Sequence, residues 1–474
     1  MKNKVLKITT LTILLFYKGF SQNIACGGWH SLTICNDSTV KAFGENATGQ
    51  IGNGNTTDQS IPSNVAGLSG IKAVSAGGDQ LEAHSMALKS NGTVWCWGSN
   101  LYGALGNASA TGTFVTAPVQ ALLLTNVKAI SAGGWHSVAL KSDGTVWCWG
   151  WNADGQLGDA STVNKIIPTQ VTSINNVVKI AAGTYHTLAL KSDGTVWAWG
   201  DNVNGQIGNS TTGTDALAPV QVNGLTNVVA IAAGRFFSLA VKNDGTVWTW
   251  GQNLYGQLGN GNTTDSNTPV QVSGLAGINS AIAAAGAFHC HALKNDGTVW
   301  SWGRNTHGNL GNNTVADSNV PVQMTNFSNP VGMAAGTNFS LLFKADGSLW
   351  GTGRNASGQL GDGTTTQRNV ANQSTVSCSI LQNSSTTSLK ADAISDVLIY
   401  PNPSSGVYYF KLATELQSGK QITVMNNLGQ LISVEYSALA DNLLSINLKN
   451  QPSGIYFALI ETEKGQMRLK LIKN

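Results

Sequence analysis

Charge is scarce in this chain: 11% of its 474 residues are Asp, Glu, Lys or Arg, and they form no long run of one sign. Four of the 27 basic residues (Lys2, Lys4, Lys7 and Lys18) fall in the first 21 positions. Without them 23 basic residues face 24 acidic ones, so the formal +3 becomes about −1. A chain with no basic tract has no electrostatic footprint for nucleic acid. After residue 21 no apolar stretch is long enough to span a bilayer as a helix. The six cysteines (Cys26, Cys35, Cys96, Cys148, Cys290 and Cys378) are too widely spaced for a disulfide-built mini-domain and make no paired metal knuckle. No Gly-x-Ser-x-Gly elbow, His-Glu-x-x-His pair or phosphate loop occurs, so catalysis, metal and cofactor have no motif to stand on. The Asn/Thr/Gly-rich loops at 259–265 and 361–366 lack the alternating carboxylates of a calcium loop.

What the chain has in abundance is repetition, with 55 glycines and 14 tryptophans at regular places. An Ala-Gly step (Cys-Gly in the first copy) recurs with its glycine at Gly27, Gly77, Gly133, Gly183, Gly234, Gly286 and Gly336, at intervals of 50, 56, 50, 51, 52 and 50 residues. Seven units at that period mark a repeat architecture. Within a unit the periodicity is two: His186–Leu190 reads as a strand, Asp193-Gly194 as a tight turn, and Thr195–Gly200 as the next strand. Trp197 and Trp199 share one face and Val196 and Ala198 the other, so both faces are apolar. A sheet apolar on both sides has to be packed between two others. With further extended segments at 219–222 and 228–231, each unit holds about four strands, the content of a propeller blade.

The ends differ from the repeats. Residues 1–21 combine a basic start, an apolar run around Leu11–Tyr17 and a small-residue exit, the pattern of a secretory signal peptide. Residues 22–380 hold the seven units, 381–395 form a polar Ser/Thr/Asn-rich linker, and 396–474 show seven short strand patterns, as in a small β-sandwich. The fold class expected is therefore all-β: a seven-bladed propeller followed by a C-terminal β-sandwich. The first unit lacks the Val-Val-x-Ile strand that precedes the others, and Ser374–Ile380 reads as a spare strand. That segment is expected to return, complete blade one and close the ring, with Cys378 bridged to Cys35 or Cys26. Cys96 and Cys148 occupy one slot of neighbouring units and should act as small apolar fillers.

Two sets of repeat positions are candidates for contact. His30, His84, His136, His186 and His289 share a slot that Phe237 and Phe339 fill in other units, which points to packing rather than metal binding. The residue before that slot is Trp29, Trp135, Tyr185, Phe236 or Phe288 in five units. Symmetry would set these at one radius on one face, as an aromatic annulus that either caps the blade cores or recognises a ligand. A second set, Tyr102, Trp151, Tyr255, His307, Arg304 and Arg354, lies at or beside the Asn-x-x-Gly turns and varies from unit to unit. Unit two also carries six extra residues, including Gln80–Ala83, of the kind that loops tolerate.

The pattern Ala-Gly-x-x-His-[Ser/Thr]-x-Ala-Leu, Asp-Gly-Thr-Val-Trp-x-Trp-Gly and Gly-Gln-Leu-Gly resembles the regulator of chromosome condensation repeat family over roughly residues 24–380. That resemblance implies seven blades and no particular activity. Tyr400–Gly406, Asn427–Gln430, Gly454–Tyr456 and the ending Lys470–Lys473 look like the type IX secretion sorting domain of Bacteroidetes-type bacteria. This second resemblance implies export by the secretion machinery to the medium or the outer cell surface. The expectation is a monomeric, non-catalytic module that binds an extracellular protein or glycan through one disc face. A hydrolase or lyase at the central funnel and a structural adhesin element are the alternatives.

Overall fold

The computed structural model describes residues 23–376, apart from 36, 80 and 81, and most strand residues between 399 and 473. The signal peptide, the linker and Cys378 lie outside the described residues. Seven four-stranded antiparallel sheets cover residues 24–64, 71–120, 127–170, 177–221, 228–271, 278–328 and 330–373, one per repeat, each with its strands in chain order. We number these blades one to seven. The ends of all seven first strands line a common axial cavity, so each blade runs from axis to rim.

Packing follows from the two-sided pattern. In blade three, Val146 and Cys148 face blade four in a cluster with Leu188, Leu190 and Trp199. Trp149 faces the other way, into Met86, Leu88 and Cys96 of blade two. Trp97, Trp149, Trp199, Trp250 and Trp302 are fully buried between blades, each worth roughly 2–3 kcal/mol of apolar burial. Cys96 and Cys148 are buried free thiols, as expected of fillers.

Five seams also repeat a polar clamp in which a buried indole donates to a carbonyl of the preceding blade. The Trp149 indole donates to the Ala104 carbonyl of blade two at 2.7 Å, and the Ser137 hydroxyl donates to the same oxygen at 2.9 Å. His136 then reaches forward: its Nε2 lies 2.9 Å from the Thr187 hydroxyl of blade four. Because Thr187 spends its proton on the Gln156 carbonyl at 2.9 Å, His136 must be the donor, and its proton sits on Nε2. The same chain links His30 to Ser85, His84 to Ser137, His186 to Ser238 and His289 to Ser340. The histidines are structural, as their exchange with phenylalanine implies. In blade seven Thr352 replaces the second tryptophan and donates to the Gly308 carbonyl at 2.8 Å, one residue before the Asn309 carbonyl that accepts from Ser340 at 3.2 Å.

The inner strand that the first unit was expected to lack is present, and residues 377–380 of the segment expected to return lie outside the described residues. Blade one draws all four strands from its own repeat, beginning with a three-residue inner strand, Ile24–Cys26. Ser374–Val376 runs as coil, held by the Ser374 and Thr375 hydroxyls on the Gly361 carbonyl. Among the described residues the seam is closed by Ser31 Oγ donating to the Gln359 carbonyl at 2.8 Å and by Ile24 and Phe43 packed with Phe339, Leu341, Leu349 and Leu360, with Val376 against them. A repeat that already owns an inner strand needs no borrowed one. Cys26 is a free thiol lining the axial cavity, which removes it as a disulfide partner, whereas Cys35 is disulfide-bonded.

The C-terminal unit holds two four-stranded sheets. One orders Ile399–Tyr400, Val407–Lys411, Leu443–Asn447 and Glu435–Ala438; the other Leu431–Ile432, Thr423–Asn426, Gly454–Thr462 and Gly465–Lys473. Tyr408 and Ile446 of the first sheet and Val424, Tyr456, Ala458 and Leu471 of the second are buried.

Candidate functional site

On the face where first strands turn into second strands, two kinds of segment meet. The inner turns present the residue before the histidine slot. The outer loops open with a buried asparagine that fixes their shape: Asn152 Nδ2 donates to the Ser161 and Val163 carbonyls at 2.9 and 3.2 Å, while its Oδ1 accepts from Leu157 N at 2.9 Å. Asn46, Asn202, Asn253, Asn305 and Asn355 do the same work. Side chains between the asparagine and the following glycine are thus displayed from rigid loops.

The two candidate sets converge, which repeat position alone did not reveal. Tyr102 packs on Trp135 and Trp151 with ring centroids 6.3 and 6.0 Å apart, and Trp135 meets Trp151 edge-on at 5.2 Å. Trp151 and Trp135 both contact Tyr185, at 5.7 and 5.6 Å, and Tyr185 stacks flat on Phe236 at 4.9 Å. Tyr255 and Phe288 pair at 5.4 Å. The outer aromatics of one blade rest on the inner aromatic of the next, giving one arc from blade two to blade six. Trp29, in blade one, stands outside it under Arg354, 4.0 Å from guanidinium to ring. All eight aromatics are half-buried, so each packs on a neighbour and keeps part of its surface in solvent.

Arginines bind the arc together. Arg235 lies over Phe236 and Phe288 at 5.3 and 5.7 Å, and Arg304 over Tyr255 and Phe288 at 4.9 and 5.3 Å. Sequence reasoning passed over Arg235, although it sits directly before the aromatic slot. It also passed over the partner of Arg235, Asp79, at 2.7 Å. Asp79 belongs to the blade-two insertion and also accepts from the Tyr185 hydroxyl at 3.3 Å. The insertion is thus anchored at the arc, where an ordinary loop expansion would sit free.

The surrounding carboxylates are electrostatically crowded. Burial and the nearby Asp58 push Glu45 up to about 7, against the opposing pull of Arg354. Burial with Asp201 and Asp215 raises Asp154 to about 6, and burial raises Asp201 as well. His307 lies at the rim, its Nδ1 3.1 Å from the Thr306 hydroxyl.

The axial cavity measures about 100 Å³ and is walled by Ala and Gly with Cys26, Thr184, Thr337 and Arg235. Ligand clefts are several times larger. No carboxylate lines its wall, and no metal-capable group of three His, Cys, Asp or Glu side chains occurs among the described residues. The arrangement offers aromatic area and guanidinium donors, the residue types of a binding surface.

Comparison with known proteins agrees with this picture. Residues 81–392 match the RCC1-like domain, residues 38–88 the regulator of chromosome condensation (RCC1) repeat, and residues 398–474 the secretion system C-terminal sorting domain. The chain is 31% identical over 292 residues to the ultraviolet-B receptor UVR8 of Arabidopsis thaliana, covering 60% of this chain and 66% of the receptor. It is 33% identical over 291 residues to the human E3 ubiquitin-protein ligase HERC2, covering 60% of this chain and 5% of the ligase. Among solved structures, human WBSCR16 superposes with a TM-score of 0.61 at 26% identity, covering 68% of this chain and 86% of that one. Yeast RCC1 (Prp20), solved bound to Kap60, does so at 0.64 and 22%, covering 79% and 92%.

Proposed function

The chain belongs to the RCC1-like domain family and carries a secretion sorting domain, and from that premise we propose that it is a cell-surface or secreted binding module whose aromatic face grips a protein partner. The observation that carries the reading is the arc itself: aromatics and arginines, the residue types enriched in binding hot spots, gathered from five blades on rigid loops. Exposed Val203 and Leu254 stand on the loops around it as an apolar rim. Protein is favoured over glycan because most of these rings meet edge-on and leave few flat platforms on which a sugar could stack. Arg304 makes no ion pair among the described residues and suits a partner carboxylate beside an apolar side chain.

The test is affinity capture from the cell-surface fraction with the chain lacking residues 1–21, compared with its Trp135→Ala/Tyr185→Ala variant. The expected result is one protein retained by the parent and lost by the variant while both melt cooperatively. Loss of the cooperative melt would make these residues core caps, and retention of glycans in place of protein would reassign the ligand.

A further inference from the structure

The two faces of the propeller differ in charge. Ten of the eleven lysines between residues 23 and 376 lie on the face opposite the arc, where second strands turn into third strands; Lys165 is the exception. Strand register places them there: Lys89 pairs with Ile71, Lys141 with Val127 and Lys191 with Val177, all at the same ends of their blades. They are unevenly distributed. Blades two, three and four each supply two, Lys72 and Lys89, Lys128 and Lys141, Lys179 and Lys191, and only Asp143 and Asp193 oppose them, because blade two has Asn91 in that turn. In blades five, six and seven a single lysine stands with a single turn aspartate, and in blade one Lys41 stands with Asp37. The whole excess, six lysines against two aspartates, falls in one sector. Three of its ammonium groups are held over tryptophan rings, Lys89 on Trp95 at 4.5 Å, Lys141 on Trp147 at 4.3 Å and Lys191 on Trp197 at 5.3 Å.

The same sector carries exposed apolar side chains. Leu122 and Leu123, in the connection from blade two to blade three, are 43% and 66% exposed, and Val178 is 42% exposed. Leu123 has φ +58°, in the left-handed region. The corresponding residues of blades one, four, five and six are Gly67, Gly224, Gly274 and Asn326, types that adopt it readily, while Ser173 of blade three does not take the left-handed conformation. A solvated leucine there gains no packing to offset its strained backbone, and such an outlier is a pointer to function.

We propose that this sector docks the propeller on an anionic lipid surface, its six lysines at headgroup level and Leu122 and Leu123 entering the interface. Lysines attract the anionic headgroup layer, and an apolar pair beside them has somewhere to go only if an apolar phase lies beneath the charge. A soluble polyanion would use the lysines and leave the leucines idle. The sorting domain directs the chain to the cell surface. The inference concerns the face opposite the arc and does not depend on the protein-binding reading.

The test is vesicle flotation of the chain lacking residues 1–21, on phosphatidylcholine with and without phosphatidylglycerol, at low and raised salt. Binding is expected on the anionic vesicles alone. Lys72→Gln/Lys128→Gln/Lys179→Gln should weaken it on the order of 100-fold, at roughly five-fold per lysine. Lys242→Gln/Lys294→Gln/Lys344→Gln, in the neutral sector, should change it far less. Leu122→Asn/Leu123→Asn, which places at 123 the residue blade six uses, should abolish the binding that survives raised salt while the thermal melt is kept. Equal flotation with neutral vesicles, equal loss from both lysine sets, or indifference to the leucine change together with capture by soluble polyphosphate would overturn the proposal.

Discussion

Arg235 of blade five and Asp79 of blade two, 156 positions apart in the chain, meet at 2.7 Å. Both side chains are mostly buried, at 18% and 9% exposure, and the Tyr185 hydroxyl joins them. A half-broken pair of this kind leaves a desolvated charge behind, at a cost of about 3 kcal/mol, whereas removing both charges costs much less. Asp79→Ala should therefore destabilise the propeller more than Asp79→Ala/Arg235→Met does, by denaturant unfolding. Additive single effects would mean that the insertion is not anchored through this pair.

Glycine at the axis is a matter of space. A Cβ on Gly133 would lie 2.3 Å from the His136 ring and 2.6 Å from the Gly183 carbonyl oxygen. Neither obstacle can retreat without opening the seam to blade four. Gly133→Ala should lower stability by roughly 2–3 kcal/mol, against a change near zero for Ala153→Gly on an exposed loop. A Gly133→Ala protein with an unchanged melting temperature would show that the inner strands slide apart freely.

The blade count, the two-sided sheets and the structural role of the histidines were legible because each rests on a slot repeated seven times. What the repeat could not supply was pairing between slots. That Tyr102 rests on Trp135, or that His136 donates to Thr187, depends on how far each blade is rotated against the next. One trace of it does exist in the sequence: after Phe237, which offers no donor, the facing residue of blade six is Cys290 where other blades have Ser or Thr. The inner strand of blade one was missed because Ile24–Cys26 is only three residues long and lacks the Val-Val-x-Ile pattern of the other units, yet three residues make the inner edge.

Of the six cysteines, Cys26, Cys96, Cys148 and Cys290 are free thiols and Cys35 is disulfide-bonded, and Cys378 is the one remaining cysteine in the sequence. We propose that Cys35 pairs with Cys378 and fastens the end of the ring to its beginning. A non-reducing peptide map should show that single linkage. Removing a native disulfide costs about 2–5 kcal/mol, so Cys35→Ser should lower the unfolding midpoint of oxidised protein and leave reduced protein unchanged. A map linking Cys35 to any other peptide would refute the pairing.

Stability against pH follows from two opposed sets of groups. Burial lowers His30, His136, His186 and His291 to about 3 and His84 to about 4, and lowers His289 as well. Below the ordinary histidine value of about 6.5 the unfolded chain takes up protons that the folded chain refuses, so these groups remove stability as the pH falls. Glu45, at about 7, and Asp154, at about 6, act in the other direction, because their folded forms hold protons that the unfolded forms release above about pH 4.5. Their contribution is present at low pH and is lost as the pH rises toward 7. With six histidines against these few carboxylates, the histidines win, and stability should fall steeply on acidification below about pH 6. The decisive variant is His136→Phe/Thr187→Cys, which copies the Phe237 and Cys290 combination of the seam between blades five and six. It removes one proton from the unfolding reaction, so between about pH 4 and pH 6 the slope of stability against pH should ease by up to about 1.4 kcal/mol per unit. A slope identical to the parent's would mean that His136 is already charged in the folded ring, contrary to its role as a neutral Nε2 donor.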